Sequence, residues 1–170
     1  MAQVSFVEAQ PFTPEAWSPF GWVPVPDADG RDGIHGLSFA AGDVHLNFIH
    51  HAPEEVKHTA NGPVVDILYR HDTHTQALMP VNCDAVIVVA PALINFTNPR
   101  DIDALRAFRL RPLDVIVLHR GTWHWGPFPV GRQPVRLLNL QSRGYRSDNA
   151  SVELARTLGV RVVLRRGPAT

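Results

Sequence analysis

Proline and glycine interrupt this chain so often that few windows remain where a long helix could survive: fifteen prolines and twelve glycines are spread through 170 residues. Each proline fixes φ and removes a backbone donor, so the segments between these residues are short. Apolar runs rich in β-branched or large side chains fill the gaps. They predict strands at Leu46 to Ile49, Val64 to Tyr69, Ala77 to Met79, Ala85 to Val89, Ala107 to Leu110, Val115 to Leu118 and Val135 to Leu140. Such a series of short strands between turn formers indicates an all-β sandwich or barrel. Two short helices are expected. Thr13 caps the first, with Pro14 at its first position and an end by Pro19; Ser151 caps the second, which ends at Gly159. Segments 24–36 and 52–63 read as polar loops, and Arg165 to Pro168 as a frayed tail. The length suits a single domain over residues 1–170.

Sixteen basic and sixteen acidic residues cancel, which excludes a net field that would recruit nucleic acid or an anionic membrane. A small-molecule substrate fits better. Cys83 is the only cysteine, so neither an intramolecular disulfide nor a cysteine-based zinc site is available, and a cytoplasmic setting is expected. No apolar run approaches bilayer length, and the first residues lack a basic segment followed by an apolar core.

Nine histidines are many for this length, and they cluster at strand ends. His45, His50 and His51 lie on or after one predicted strand, His71 and His74 follow another, and His119 and His124 flank the turn after a third. Separate strand ends that each offer imidazoles are what a barrel needs to assemble one site from distant sequence. The stretch HRGTWHWGPFP, residues 119–129, delivers His124 and Trp125 through a glycine turn behind an apolar strand, as at the rim of a pocket. In YRHDTHTQALMP, residues 69–80, strand alternation turns Tyr69 and His71 to one face and Arg70 to the other. A hairpin through Asp72 and Thr73 is expected to fold Gln76 back toward His71.

Other residues have plainer readings. His74 reads as a solvated turn residue, Asp148-Asn149 as a turn, and Trp123 and Trp125 as core or pocket wall. His45, His50 and His119 read as surface or core histidines, and Cys83, in an expected hairpin turn, has no adjacent activator. His51 reads equally as a bystander or as a protonatable partner in a site.

The placement of Tyr69, His71 and Gln76, with Arg120-Gly121-Thr122-Trp123-His124 downstream, resembles the two metal-binding motifs of the cupin superfamily. More narrowly, YRHDTHTQALMPV, DAVIVVA, ALRAF, RGTWHWGPFP and SDNASVE, together with PFTPEAWSPFG near the start, resemble the ureidoglycolate lyase family. The likeness runs through nearly the whole chain and is weakest between residues 22 and 60. It implies a cupin jelly-roll barrel, usually a cytoplasmic homodimer, that splits ureidoglycolate into glyoxylate and urea in allantoin and purine catabolism. Carried over by position, His71, Gln76 and His124 would hold a divalent metal such as Mn, Ni, Zn or Fe, with Tyr69 or His74 completing the set. His71, His124 and His51 are the implied catalytic residues, and Tyr69, Gln76 and Trp125 the implied substrate contacts. Asp148 and Asn149 match an Asp-Asn pair near the end of the family pattern. Tyr69 stands where the family tends to have glutamate, and His51 where it tends to have arginine. A different metal-dependent cupin enzyme, such as a dioxygenase or isomerase, and a metal-free ligand-binding cupin are the other readings of the same residues.

Overall fold

The run Ala85-Val86-Ile87-Val88-Val89-Ala90 is apolar at every position, and a strand can bury all of it only if both of its faces are covered. The computed structural model, which describes residues 3–39 and 43–165, covers both. In chain order the elements are β1 (Gln3–Pro11), α1 (Pro14–Trp17), β2 (Gly21–Trp22), β3 (Val44–His51), β4 (His58–Thr59), β5 (Gly62–Val65), β6 (Ile67–Arg70) and β7 (Gln76–Pro80). They continue with β8 (Ala85–Ala90), β9 (Arg106–Leu110), β10 (Ile116–Leu118), β11 (Trp123–Pro129), β12 (Val135–Ser142), β13 (Ala150–Glu153), α2 (Leu154–Leu158) and β14 (Val160–Arg165). One sheet has the order β13-β6-β11-β8-β9-β1-β14-β5-β4, the other β2-β10-β7-β12-β3. The architecture is the all-β barrel with short helices expected of a cupin.

Alternation along β8 divides the core. Ala85, Ile87 and Val89 point between the sheets, against Trp17, Phe20, Leu78, Phe108, Ile116, Leu118 and Leu137. Val86, Val88 and Ala90 point the other way, where β1, β5, β14 and α2 wrap back over the curled sheet and supply Val7, Val65, Val160, Val162, Leu164 and Leu158. Each fully buried Val, Leu or Phe contributes about 1.5–3 kcal/mol of transfer free energy. β8 is therefore the strand most firmly fixed in the molecule, and β11 pairs along it.

The structure corrects several sequence expectations. Thr13 caps α1 by accepting from the Ala16 amide at 3.2 Å, as expected. Ser151 does not cap α2, because residues 150–153 pair with β6 and hold Ser151 in a strand; Gly159 does end α2, in the left-handed conformation at φ 68°. Loop 52–63 contains β4 and the start of β5. β6 and β7 belong to different sheets, so Asp72 and Thr73 lie in an arch that crosses the barrel rather than in a hairpin. The turn at Cys83 likewise joins β7 to β8 across sheets. Of the expected frayed tail, Arg166 to Pro168 lie outside the described residues. No helix among the described residues is long and apolar enough to cross a membrane.

Candidate active site

The histidines gather at the end of the barrel where β6 stops and β11 starts. His124, on β11, pairs with Val89 on one side and with Tyr69 on the other, so all three share the face turned between the sheets. His71 is the first residue beyond β6. Its ring centroid lies 5.5 Å from that of His124 and 4.6 Å from that of His74, which stacks on it at 23°. Two backbone contacts lock this end. The Gly121 amide donates to the His71 carbonyl at 2.7 Å, and the Thr122 hydroxyl donates to the Phe20 carbonyl at 2.8 Å. Gly121 has φ 78°, and an added Cβ would come within 3.1 Å of Ala92 and 3.3 Å of Asp72 Oδ1.

Asp148 closes the cluster from the far end of the sequence. Its carboxylate accepts from the amides of Asp72 and Thr73 at 3.2 and 2.9 Å and from the Thr73 hydroxyl at 2.6 Å. Burial pushes the carboxyl pKa up, but the Thr73 and Asp72 donors and the neighbouring His74 outweigh it and hold the group below its ordinary value. The Asp148 carbonyl lies 3.0 Å from His71 Nδ1, and the Thr122 carbonyl lies 3.3 Å from His124 Nδ1. A carbonyl oxygen only accepts, so Nδ1 carries the proton in each ring, and in the neutral ring Nε2 keeps the lone pair. Burial first, then the charge of His71, pushes the His124 pKa down to about 4. That imidazole is neutral and basic-faced near pH 7. Burial and His71 also lower His74, against an opposing pull from Asp148.

His74 is 2% exposed, not the solvated turn residue its polar neighbours suggest. Asp148 Oδ2 sits 3.1 Å from His74 Nδ1 but off the line a hydrogen bond requires, so both ring nitrogens are buried without a hydrogen-bond partner. Ligand atoms of His71, His74 and Asp148 all lie within 4.8 Å of one another. Two imidazoles and a carboxylate with unpartnered buried nitrogen fit a divalent ion of the Mn, Fe, Ni or Zn kind.

The remaining expected site residues are scattered. Tyr69 is on the inward face but 38% exposed. Gln76, at the start of β7, faces the same interior from the opposite sheet, opposite Leu118. Trp125 is one residue from His124 and therefore on the other face, packed in the core beneath β14. His51 pairs with Val135, whereas the histidine cluster adjoins the Ser142 end of β12; seven residues of strand, about 23 Å, separate the two ends. His51 instead contacts Glu55 at 2.8 Å and packs on Phe128, so it is not brought to His71 and His124. Arg70 faces outward as alternation requires, with its guanidinium over Trp123.

Sequence reasoning passed over Tyr145 and Arg146. Tyr145 meets His71 edge-on at 6.5 Å, and Arg146 Nε donates to its hydroxyl at 3.1 Å. Both sit in a 3-10 turn, Arg143–Arg146, whose amide at Gly144 is held by Ser142 and Asp43. No local pattern marks them; only the long-range closure by Asp148 does.

A cavity of about 620 Å³ lies elsewhere, on the outer face of β8 and β11, walled by Phe12, Val56, Val86, Trp125, Phe128 and Leu164. Its charged groups satisfy each other, as where Arg109 meets Asp84 at 2.7 and 2.8 Å.

The fold and the site thus define a histidine-lined cupin barrel. A family model for ureidoglycolate lyase matches residues 32–161, and the chain belongs to that family. No curated protein matches the chain. Among solved structures it is similar to an oxalate decarboxylase of Lactobacillus farciminis bound to formate, at 14% identity and TM-score 0.43 over 67% of this chain and 27% of that one. It is also similar to Bacillus subtilis oxalate decarboxylase at pH 4.6, at 16% identity and TM-score 0.43 over 67% of this chain and 24% of that one. The chain spans about a quarter of the length of those enzymes.

Proposed function

We propose that this protein is a carbon–nitrogen lyase that cleaves ureidoglycolate to glyoxylate and urea. The observation that supports this reading most directly is the convergence of His71, His74, His124 and Asp148 in a member of the ureidoglycolate lyase family. The reaction moves one proton from a hydroxyl to a nitrogen. The hydroxyl loses its proton as its oxygen forms the aldehyde C=O, the C–N bond electrons return to nitrogen, and that nitrogen takes up a proton as urea leaves. One neutral imidazole serves both transfers, and His124, with Nε2 free and its pKa near 4, is the group poised to take the hydroxyl proton and return it. Arg146, whose Nε donates to the hydroxyl of the Tyr145 ring that meets His71, is assigned to the substrate carboxylate.

His71, His74 and Asp148 would hold a divalent metal, which when bound supplies Lewis-acid polarisation of substrate oxygens. The His71 Nδ1–H contact to the Asp148 carbonyl orients that ring whether or not the ion is present. His51 has no place in this scheme, because it lies at the far end of β12.

The test is direct. Purified protein is mixed with ureidoglycolate, with and without added Mn, Ni or Zn, and glyoxylate and urea are followed against a His124→Ala control. Equimolar release of both products well above the control supports the assignment. Release no greater than the control removes it.

A further inference from the structure

Three side-chain amides cross the five-stranded sheet in a row, on the face turned toward the barrel interior. Gln76 on β7 donates from Nε2 to Asn139 Oδ1 on β12 at 2.8 Å, and Asn139 donates from Nδ2 to Asn47 Oδ1 on β3 at 2.8 Å. Asn139 is fully buried and Gln76 is 5% exposed. Polar residues at these positions break the surrounding pattern. Asn139 stands opposite Leu78, whose neighbours Ile116, Leu118 and Leu137 fill the space between the sheets.

The chain of donation has a direction, and the direction decides what Gln76 offers. Its N–H is committed to Asn139, whose own N–H is committed to Asn47. Turning the Gln76 amide alone would set its carbonyl oxygen against the Asn139 carbonyl oxygen, so the relay in this arrangement keeps the Gln76 N–H toward Asn139. The group left over is Gln76 Oε1, an acceptor that is buried with no hydrogen-bond partner. An unpartnered buried carbonyl is a standing demand for a donor. Gln76 pairs with Leu118, and His124 pairs with Val89 on the facing sheet; Leu118 and Val89 belong to one inter-sheet core, so the acceptor and the imidazole face the same interior.

We propose that Gln76 Oε1 is the recognition point for the N–H groups of a ureido substrate, and that Asn139 and Asn47 are positioning residues that keep this amide oxygen-inward. The assignment rests on the lyase reading for the identity of the ligand but not for the polarity of the site. An acceptor held this way selects an N–H donor and disfavours a ligand that presents a carbonyl or carboxylate oxygen at the same point.

The experiment uses two stable probes titrated into the full chain by calorimetry: N-carbamoylglycine, which carries a ureido N–H group and a carboxylate, and glyoxylate, which carries the carboxylate and no N–H. Gln76→Leu is expected to weaken N-carbamoylglycine by about tenfold or more while leaving glyoxylate unchanged. Asn139→Leu, which keeps Gln76 but frees its amide to turn, is expected to weaken N-carbamoylglycine by a smaller factor, and Asn139→Asp, which still accepts from Nε2, to restore it. Manganese affinity is expected to be the same in wild type and Gln76→Leu. Equal loss of both probes, no loss of either, loss of manganese affinity in Gln76→Leu, or no binding of N-carbamoylglycine by wild type would each overturn the proposal. Wild type that binds N-carbamoylglycine in the expected way yet releases no glyoxylate from ureidoglycolate would leave the ureido site standing and remove the lyase reading.

Discussion

The two faces of β11 make opposite use of adjacent residues. On the inner face His124 sits with a free ring nitrogen beside His71 and His74, both of whose ring nitrogens lack hydrogen-bond partners in the latter case. On the outer face Trp125 and Phe128, with ring centroids 4.5 Å apart, wall a roomy apolar cavity whose Arg109 and Asp84 are already paired. The outer face has its cavity, but unmet hydrogen-bonding capacity is concentrated on the inner one, at His74 and Gln76. Chemistry follows unmet capacity rather than volume, since a polar group that already has its partner gains little from a ligand.

The widest separation between the faces is expected in rate. His124→Ala should lower ureidoglycolate cleavage by about a hundred- to ten-thousand-fold, measured as kcat for glyoxylate release. Trp125→Leu, one residue away, should leave the rate per folded molecule nearly unchanged. A comparable rate loss in both variants would erase the distinction drawn here between the faces.

Stability should reverse the ranking. Trp125→Ala removes a buried ring from the core under β14 and should cost about 3–5 kcal/mol in urea-induced unfolding, more than His124→Ala costs. A smaller cost for the tryptophan would mean that the outer cavity already leaves it loosely packed.

Acid should act on the inner face. An unfolded imidazole binds a proton near pH 6.5, whereas folded His124 does so only near 4. Between those values the unfolded chain binds more protons, so stability falls as pH falls through this window and is fully present above it. The loss attributable to His124 is about 3 kcal/mol, an upper figure for a buried group. Comparing the pH dependence of unfolding in wild type and His124→Gln checks it, and parallel curves would contradict it.

The smallest effect is assigned to the rim. Arg146→Ala should raise KM for ureidoglycolate by about three- to tenfold with kcat little changed, because an exposed guanidinium is well screened by water. A fall in kcat with KM unchanged would place Arg146 elsewhere in the reaction.

The same contrast shows what was legible in the sequence. The β8 run read as a strand over Ala85 to Val89, and the His71 and His124 positions followed from motif spacing. β11 did not read as a strand because Gly126-Pro127 reads as a turn; the register shifts between Trp125 and Phe128, and Gly126, at φ 82°, absorbs the irregularity. β1 was missed because only Val7 in it is buried, and its pairing with β14 is parallel and distant in sequence. Burial of His74 was invisible for a similar reason, as the Asp148 carboxylate beside it arrives from more than seventy residues away. Asn139 did leave a trace, as a polar residue in step with the buried Val135 and Leu137; Asn47 did not, because the apolar Val44, Leu46 and Phe48 of β3 are the exposed ones.

The Gly121 amide on the His71 carbonyl, the Asp148 carbonyl by His71 Nδ1 and the Gln76–Asn139 bond join residues 50, 77 and 63 positions apart. Closing such loops is slow and gains nothing until the whole barrel is in register. The histidine cluster is therefore expected to assemble late in folding, with the buried His124 environment as the signal of a completed barrel.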